Sequence, residues 1–142
     1  MKYKYILQEM KETGDPNVLA FLNDTAKIKR MSKKERDFFL QNRCKPGALK
    51  RLVEEFIPYA IYVAYFNAPK LKTLSVLDLI NEGILGAYTA FERNSRGEVL
   101  TKRRVNHSIK CNIRRAVQKD YFEGFADIAI EDVEIDNLKL FI

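Results

Sequence analysis

The residue types that most often carry out enzymatic chemistry are scarce in this chain, and their spacing is unfavourable. His107 is the only histidine, and the two cysteines, Cys44 and Cys111, lie far apart in the sequence. One histidine cannot supply the paired His motifs of zinc hydrolases, and the cysteines fit neither a C-x-x-C metal site nor a disulfide framework. The sequence also has no phosphate-cradling glycine loop and no nucleophile elbow. We therefore expect no enzymatic activity, no metal ion and no cofactor.

Two carboxylates have a spacing that deserves chemical consideration. Asp78 and Glu82 are four residues apart, so on a helix they share one face. Such a pair can bind a metal or share a proton, but no third ligand or histidine lies near them in the sequence. An acidic contact for a basic partner and an ordinary solvated helix face both remain open.

Charge is distributed unevenly along the chain, whose formal net charge is +6. Residues 93–119 contain nine Lys and Arg against one acid, whereas residues 120–142 contain one Lys against seven acids. A block this basic favours a polyanion as its partner. The acidic end of the chain requires a different explanation.

The basic block has the pattern of an amphipathic helix over residues 101–119. Wound at 100° per residue, it places one apolar stripe inward: Val105, Ile109, Ile113 and Ala116. The opposite side holds the basic residues Arg103, Arg104, His107, Lys110, Arg114 and Arg115. Such side chains can neutralise phosphates and reach base edges in a groove. We favour nucleic acid as the ligand; a solubilising helix, or one that docks on an acidic protein, is the alternative.

The elements that must position these residues are predicted to be helices. With 46% apolar and 31% charged residues, the composition is that of one soluble globular domain. Apolar spacings of three and four predict an all-α bundle of about five helices. They begin near Asp15, Ser32, Ala48, Ser75 and Thr101. The fourth carries the apolar residues Leu77, Ile80, Ile84, Leu85, Tyr88 and Phe91, with Gly83 and Gly86 where a neighbouring helix can approach closely.

The fourth helix contains a long motif with a recognisable pattern. Residues 77–86 read L-D-L-I-N-E-G-I-L-G and continue to Ala90-Phe91. This stretch resembles the D-L-I-Q-E-G-N-I-G-L…A…F signature of the second conserved region of housekeeping-type bacterial sigma factors. The resemblance extends over about residues 15–117: residues 15–22 are similar to the D-P…Y-L opening of the preceding region, and residues 109–117 to the I-R-Q-A-I-x-R-A-I promoter helix.

The resemblance implies two sets of contacts. In the family the D-L-I-Q-E-G helix docks on the clamp helices of the largest subunit of core RNA polymerase. The matching residues are Leu77, Asp78, Asn81 and Glu82. The promoter helix reads the upstream edge of the minus-ten element, which corresponds to Lys110, Cys111, Arg114 and Arg115, and Phe91 matches an aromatic that helps to hold a flipped base.

One segment departs from the family pattern. The family usually has an aromatic-rich F-S-T-Y-A-T-W-W segment before the promoter helix, whereas residues 98–108 contain no aromatic residue. Stacking on unpaired bases is then weaker or located elsewhere. Phosphate contacts from Lys102, Arg103 and Arg104 would take a larger share of DNA binding, and His107 is a further candidate DNA contact.

These comparisons lead to a complete functional expectation. Residues 1–122 would form a domain like sigma domain 2, with the preceding region at about 15–45, and residues 123–142 an acidic tail. The chain would act in the cytoplasm and would have no membrane partner. It would be a minimal sigma-like factor, similar to the factors of phage late or middle transcription. The alternative is a regulator that binds the polymerase clamp without reading DNA.

The end of the chain provides one further expectation. Residues 137–141, N-L-K-L-F, resemble the Q-L-x-L-F peptide with which bacterial replication proteins bind the sliding clamp. The contact residues would be Leu138, Leu140 and Phe141. A hydrophobic tail that packs back on the domain is the competing interpretation.

Overall fold

The structure is a computed structural model that describes residues 2–93 and 99–123. Six α-helices contain most of these residues. They are α1 (Tyr3–Glu12), α2 (Pro16–Ala26), α3 (Lys33–Gln41), α4 (Ala48–Asn67), α5 (Val76–Arg93) and α6 (Lys102–Glu123). A single 3-10 turn, Ala68–Lys70, follows α4. The expected all-α class is confirmed, and α1 is an additional helix.

The predicted helix starts rest on local capping interactions. Asp15 accepts a hydrogen bond from the Asn17 amide at 2.9 Å, and Ser32 accepts one from the Glu35 amide at 3.2 Å. Each bond satisfies an amide that has no partner inside the helix. Because these signals involve residues two or three positions apart, the sequence alone reveals them.

The helices α4, α5 and α6 form the centre of the molecule. Their fully buried side chains include Leu52, Ile61, Leu79, Ile80, Ile109 and Ile113. The helix α1 packs on α2 and α4 through Ile6 and Met10. Only two residues of α1 are buried, so its apolar periodicity is weak in the sequence.

Two glycines allow α5 and α6 to approach each other closely. A Cβ at Gly83 would lie 2.9 Å from Ile113 Cδ1, and a Cβ at Gly86 would lie 2.7 Å from the carbonyl oxygen of Ser108. The Ser108 hydroxyl donates to the Gly86 carbonyl at 2.7 Å, and Asn112 Nδ2 donates to the Glu82 carbonyl at 3.3 Å. The predicted close approach at both glycines is confirmed, so the exposed faces of α5 and α6 have a defined relative position.

A buried carboxylate holds the loop that leads into α5. Asp120, 1% exposed, accepts hydrogen bonds from the amides of Lys72, Thr73 (3.1 Å) and Leu74 (3.2 Å) and from the Thr73 hydroxyl. Burial acts to raise the pKa of this carboxyl, but the hydrogen bonds outweigh it and the pKa lies below its usual range. In the sequence Asp120 opens the acidic stretch of residues 120–142; in the structure it belongs to α6 and anchors a loop 47 residues away.

Asp120→Asn is expected to lower the free energy of unfolding at pH 7 by about 1–3 kcal/mol, because an amide cannot accept all of these bonds and has no charge. A depressed pKa in the folded state stabilises the protein fully above the unfolded value of about 3.9. That stabilisation is lost as the pH falls through the folded value. Urea denaturation at pH 7 and pH 3 should therefore show a difference between the parent and the variant that narrows in acid. A difference independent of pH would contradict the ionised anchor.

Among residues 2–93 and 99–123, no helix combines the length and the apolar character that a bilayer span requires. The acidic tail was expected over residues 123–142. Glu123 is still the last residue of α6, and the rest of that segment lies outside the described residues.

Candidate functional site

The outward face of α5 carries the residues that the sequence assigned to a protein partner. Asp78 and Asn81 are exposed, and Leu77 and Glu82 are partly buried. Asp78 also has a structural role, because its Oδ2 accepts from the Ser75 amide at 2.9 Å while its own amide donates to the Ser75 hydroxyl at 3.2 Å. This reciprocal pair is a capping box at the start of α5. Any test of the Asp78 charge must therefore preserve the cap.

Two apolar residues extend this acidic face. Leu85 is 54% exposed and Tyr88 is 39% exposed. In the sequence both belong to the apolar pattern of α5, but the helix packs on the core through Ile80, Gly83 and Ala87 on its other side. An exposed apolar patch with a polar rim is a feature of protein-interaction surfaces. We call Leu77, Asp78, Asn81, Glu82, Leu85 and Tyr88 the docking stripe.

The outward face of α6 has the predicted arrangement. Val105, Ile109 and Ile113 are fully buried. On the other side, Lys102, Arg103, Arg104, His107 and Arg115 are exposed, and Lys110, Cys111 and Arg114 are partly buried. No acid occurs between Lys102 and Lys119. The helix therefore contributes no carboxylate to this face before its last turn, where Glu123 pairs with Lys119 at 3.9 Å.

A small cleft lies between α5 and α6 beside that face. Its volume is about 200 Å³, and three arginines line it: Arg93 from α5 and Arg104 and Arg115 from α6. His107 and Cys111 also line it, with His107 Nε2 and Cys111 Sγ 3.4 Å apart. A phosphate group suits this concentration of guanidinium groups. The sequence does not single out Arg93, because the contribution of Arg93 to the cleft depends on how the two helices pack.

The expectation that Phe91 contacts a flipped base is corrected. Its ring is 3% exposed and lies against Phe56, with ring centroids 6.1 Å apart, and Tyr88 at 6.4 Å. A ring so enclosed offers no face to a base. Phe91 is part of the core, and its carbonyl accepts a bond from Arg43 Nε at 3.1 Å.

An aromatic surface on α4 was not anticipated. Tyr59 and Tyr62 have nearly parallel rings, with centroids 6.4 Å apart and planes 16° apart, and Phe66 meets Tyr62 edge-on at 5.0 Å. Tyr62 is 37% exposed and Phe66 is 44% exposed. We call Tyr59, Tyr62 and Phe66 the aromatic ledge. Their spacing of three and four is visible in the sequence, but which side of α4 faces solvent depends on α6.

One residue of the aromatic ledge, Tyr59, lies near Arg114 on the basic face of α6. Burial raises the pKa of Tyr59, and the nearby Arg114 guanidinium lowers it in part. Because Lys110 precedes Arg114 by four residues, both lie on the same side of α6.

Two remaining expectations concern a metal ion and the sliding clamp. Among residues 2–93 and 99–123, no group of three or more His, Cys, Asp or Glu side chains is arranged to hold a metal ion. Leu138, Leu140 and Phe141 lie outside the described residues, so sliding-clamp binding stays a prediction.

Comparison with known proteins finds no matching family model, no similar curated sequence and no similar solved structure. What the chain does must therefore be inferred from its exposed surfaces and from the motif resemblance of α5 and α6.

Proposed function

We propose that this chain is a sigma-like transcription initiation factor. It binds core bacterial RNA polymerase through the docking stripe of α5 and directs the enzyme to short AT-rich promoters through the basic face of α6, as part of a phage late or middle programme. The clamp helices of the largest polymerase subunit are the proposed contact of α5. Promoter DNA is the proposed ligand of α6.

The main support for this proposal is the close packing of α5 against α6. One helix exposes an acidic and apolar stripe, and the other exposes a face without acids that bears several arginines. The contacts at Gly83 and Gly86 hold the two faces in a constant relation. A factor that must place a polymerase at a chosen DNA sequence requires two such surfaces, rigidly connected.

The docking stripe has the composition of a protein contact. Leu85 and Tyr88 supply apolar area that loses water on binding, while Asp78 and Glu82 supply charge complementary to a basic partner. Asn81, exposed between them, can bond a polar group at the rim. The predicted four-residue contact is thus extended by two residues.

The basic face divides into two roles. Lys102 and Arg103, near the start of α6 and exposed, are placed to neutralise phosphates. Lys110 and Arg114, farther along the helix and partly buried, are proposed to select the promoter sequence. The arginine-lined cleft would hold a backbone phosphate between the two helices.

The direct test is run-off transcription with core polymerase on a library of templates whose minus-ten elements are randomised. We expect the chain to bind core enzyme and enrich AT-rich templates among the transcripts. Core binding without initiation would instead identify a clamp-binding regulator that does not read DNA. Failure to bind core enzyme would refute the proposal.

Substitution of Arg103 by Ala should weaken DNA binding by the polymerase complex nearly equally on all sequences. Because one phosphate contact is lost, the slope of log affinity against log salt should fall by roughly one. Lys4→Ala, which removes an exposed lysine from α1, is the matched control and should leave the slope unchanged. Lys110→Ala and Arg114→Ala should change which templates are chosen. If all three α6 variants lose DNA affinity equally on every template, this helix does not read sequence.

A further inference from the structure

The arginine-lined cleft between α5 and α6 has the features of a site for a small, highly charged anion. Three guanidinium groups border it, those of Arg93, Arg104 and Arg115. Among the described residues that line the cleft, none is Asp or Glu; the others carry hydroxyl, amide, imidazole, thiol or methyl groups. A concave site bordered by charges of one sign concentrates their field, so the cleft attracts anions from solution.

The packing of α5 against α6 places these arginines before any ligand binds. The residues of α6 that line the cleft recur at spacings of three and four and form one column: Arg104, His107, Cys111 and Arg115. On α5, Arg93 follows Thr89, another lining residue, by four positions. Ser108 also lines the cleft and ties the two helices together by its bond to the Gly86 carbonyl at 2.7 Å. A site whose backbone is already positioned loses little conformational freedom on binding.

A neighbouring cavity shows why the absence of acids matters. That cavity is larger, about 390 Å³, and both Arg115 and Lys119 line it. Three acids line it as well: Glu82, Asp120 and Glu123. Their carboxylates offset the positive charge, so an anion gains little there. Of these two cavities, the arginine-lined cleft is the one that suits an anion.

The size and charge of the cleft specify the class of anion. Its volume of about 200 Å³ is below the roughly 300–1,000 Å³ of sites that enclose drug-sized ligands. A guanidinium group can form two parallel hydrogen bonds with a phosphate. A backbone phosphodiester carries one negative charge, fewer than the three guanidinium groups can neutralise. Two or more linked phosphates carry more charge and more acceptor oxygens in a small volume.

We propose that the chain by itself binds a free oligophosphate in the arginine-lined cleft, either inorganic pyrophosphate or the polyphosphate end of a nucleotide. Arg93, Arg104 and Arg115 bind the phosphates, and the nucleoside of a nucleotide stays outside the cleft. Binding requires neither polymerase nor promoter DNA. Competition between the oligophosphate and the DNA backbone for these arginines is a further consequence, and that consequence alone rests on the proposed function.

The first test is isothermal titration calorimetry of the full chain with pyrophosphate, inorganic phosphate and ATP at equal ionic strength. We expect pyrophosphate and ATP to bind with similar affinity, because only the phosphates enter the cleft. Inorganic phosphate should bind at least about tenfold more weakly, because it makes fewer charged hydrogen bonds. ATP binding without pyrophosphate binding would overturn the proposal, since it would mean that the nucleoside is what the chain recognises.

Variants of Arg93 test the cleft itself. Arg93 is exposed and is the last residue of α5. Arg93→Ala should weaken pyrophosphate binding by at least about tenfold. Arg93→Lys should cause a smaller loss, because lysine keeps the charge but lacks the planar guanidinium. Lys119→Ala, which removes a cation from the neighbouring cavity, is the matched control and should bind like the parent. Unchanged binding by a folded Arg93→Ala variant would overturn the proposal.

Cys111 reports occupancy of the cleft in the unaltered chain, which covers the case in which an arginine variant does not fold. Its Sγ lies 3.4 Å from His107 Nε2 at the cleft, whereas Cys44 is exposed and is not among the lining residues. Saturating pyrophosphate should slow the alkylation of Cys111 by N-ethylmaleimide, a neutral reagent, and leave the rate at Cys44 unchanged. Mass spectrometry of the cysteine peptides measures both rates.

The alkylation experiment also separates this proposal from the initiation function. Equal alkylation of Cys111 with and without saturating pyrophosphate would overturn the oligophosphate site, whatever the chain does with polymerase. Protection of Cys111 in a chain that fails to bind core polymerase would support the oligophosphate site while refuting the proposed function.

Discussion

Glu82→Lys combined with Asp78→Asn is expected to weaken binding to core RNA polymerase by about a hundredfold, which corresponds to roughly 2.7 kcal/mol. The pair changes the local charge from negative to positive against a basic partner. Asn at position 78 can still accept the hydrogen bond from the Ser75 amide, so the start of α5 is preserved. Co-purification and titration with core enzyme measure the effect.

The control for this experiment has the same change in net charge at a distance from α5. Glu9→Lys with Asp24→Asn alters exposed residues on α1 and α2 and should leave polymerase binding near the parental value. Asp78→Asn alone should give an intermediate loss. Undiminished binding by the α5 variant, with its helical circular dichroism intact, would remove the docking stripe from the polymerase contact.

Gly86→Ala is expected to lower the free energy of unfolding by about 2–3 kcal/mol. Alanine favours a helix over glycine by about 1 kcal/mol, but here the added Cβ would lie 2.7 Å from the Ser108 carbonyl oxygen and 3.0 Å from the Ile109 Cα. Backbone atoms cannot rotate away as a side chain can, so α5 and α6 must separate. Urea denaturation followed by far-ultraviolet circular dichroism measures the loss.

Two further substitutions calibrate the result at Gly86. Asn81→Ala, at an exposed position of the same helix, should change the stability by less than about 0.5 kcal/mol. At Gly83 the nearest atoms belong to side chains: the terminal Cδ1 of Ile113 at 2.9 Å can shift, but Ala60 Cβ at 3.0 Å cannot rotate away. Gly83→Ala should therefore also destabilise the protein, but by less than Gly86→Ala. A Gly86→Ala variant as stable as the parent would mean that the two helices do not depend on this contact.

Local signals in the sequence determined most of the secondary structure. The cap residues Asp15, Ser32 and Ser75 mark helix starts because a side-chain oxygen must satisfy an amide two or three residues away. The basic and apolar sides of α6 follow from a period of 3.6 residues. Such interactions do not depend on the rest of the fold, and these predictions are confirmed.

The contact surfaces of α5 depended on helices that are distant in the sequence. Leu85 and Tyr88 match the apolar pattern of their helix, yet they face solvent, whereas the ring of Phe91 is enclosed by the core. The difference arises because α4 and α6 together cover only one side of α5. A pattern of apolar residues identifies a helix but does not state which part of its circumference a neighbour will cover.

The sequence by itself determined the helical class, the caps and the charged character of α6. Tertiary structure alone decided that Asp120 anchors a loop 47 residues away, that Arg93 joins Arg104 and Arg115 at one cleft, and that Tyr59 lies near Arg114. The physical reason is the distance along the chain over which each interaction acts. Capping and periodicity act within one or two turns, whereas burial and charge clustering depend on which segments the whole chain brings together.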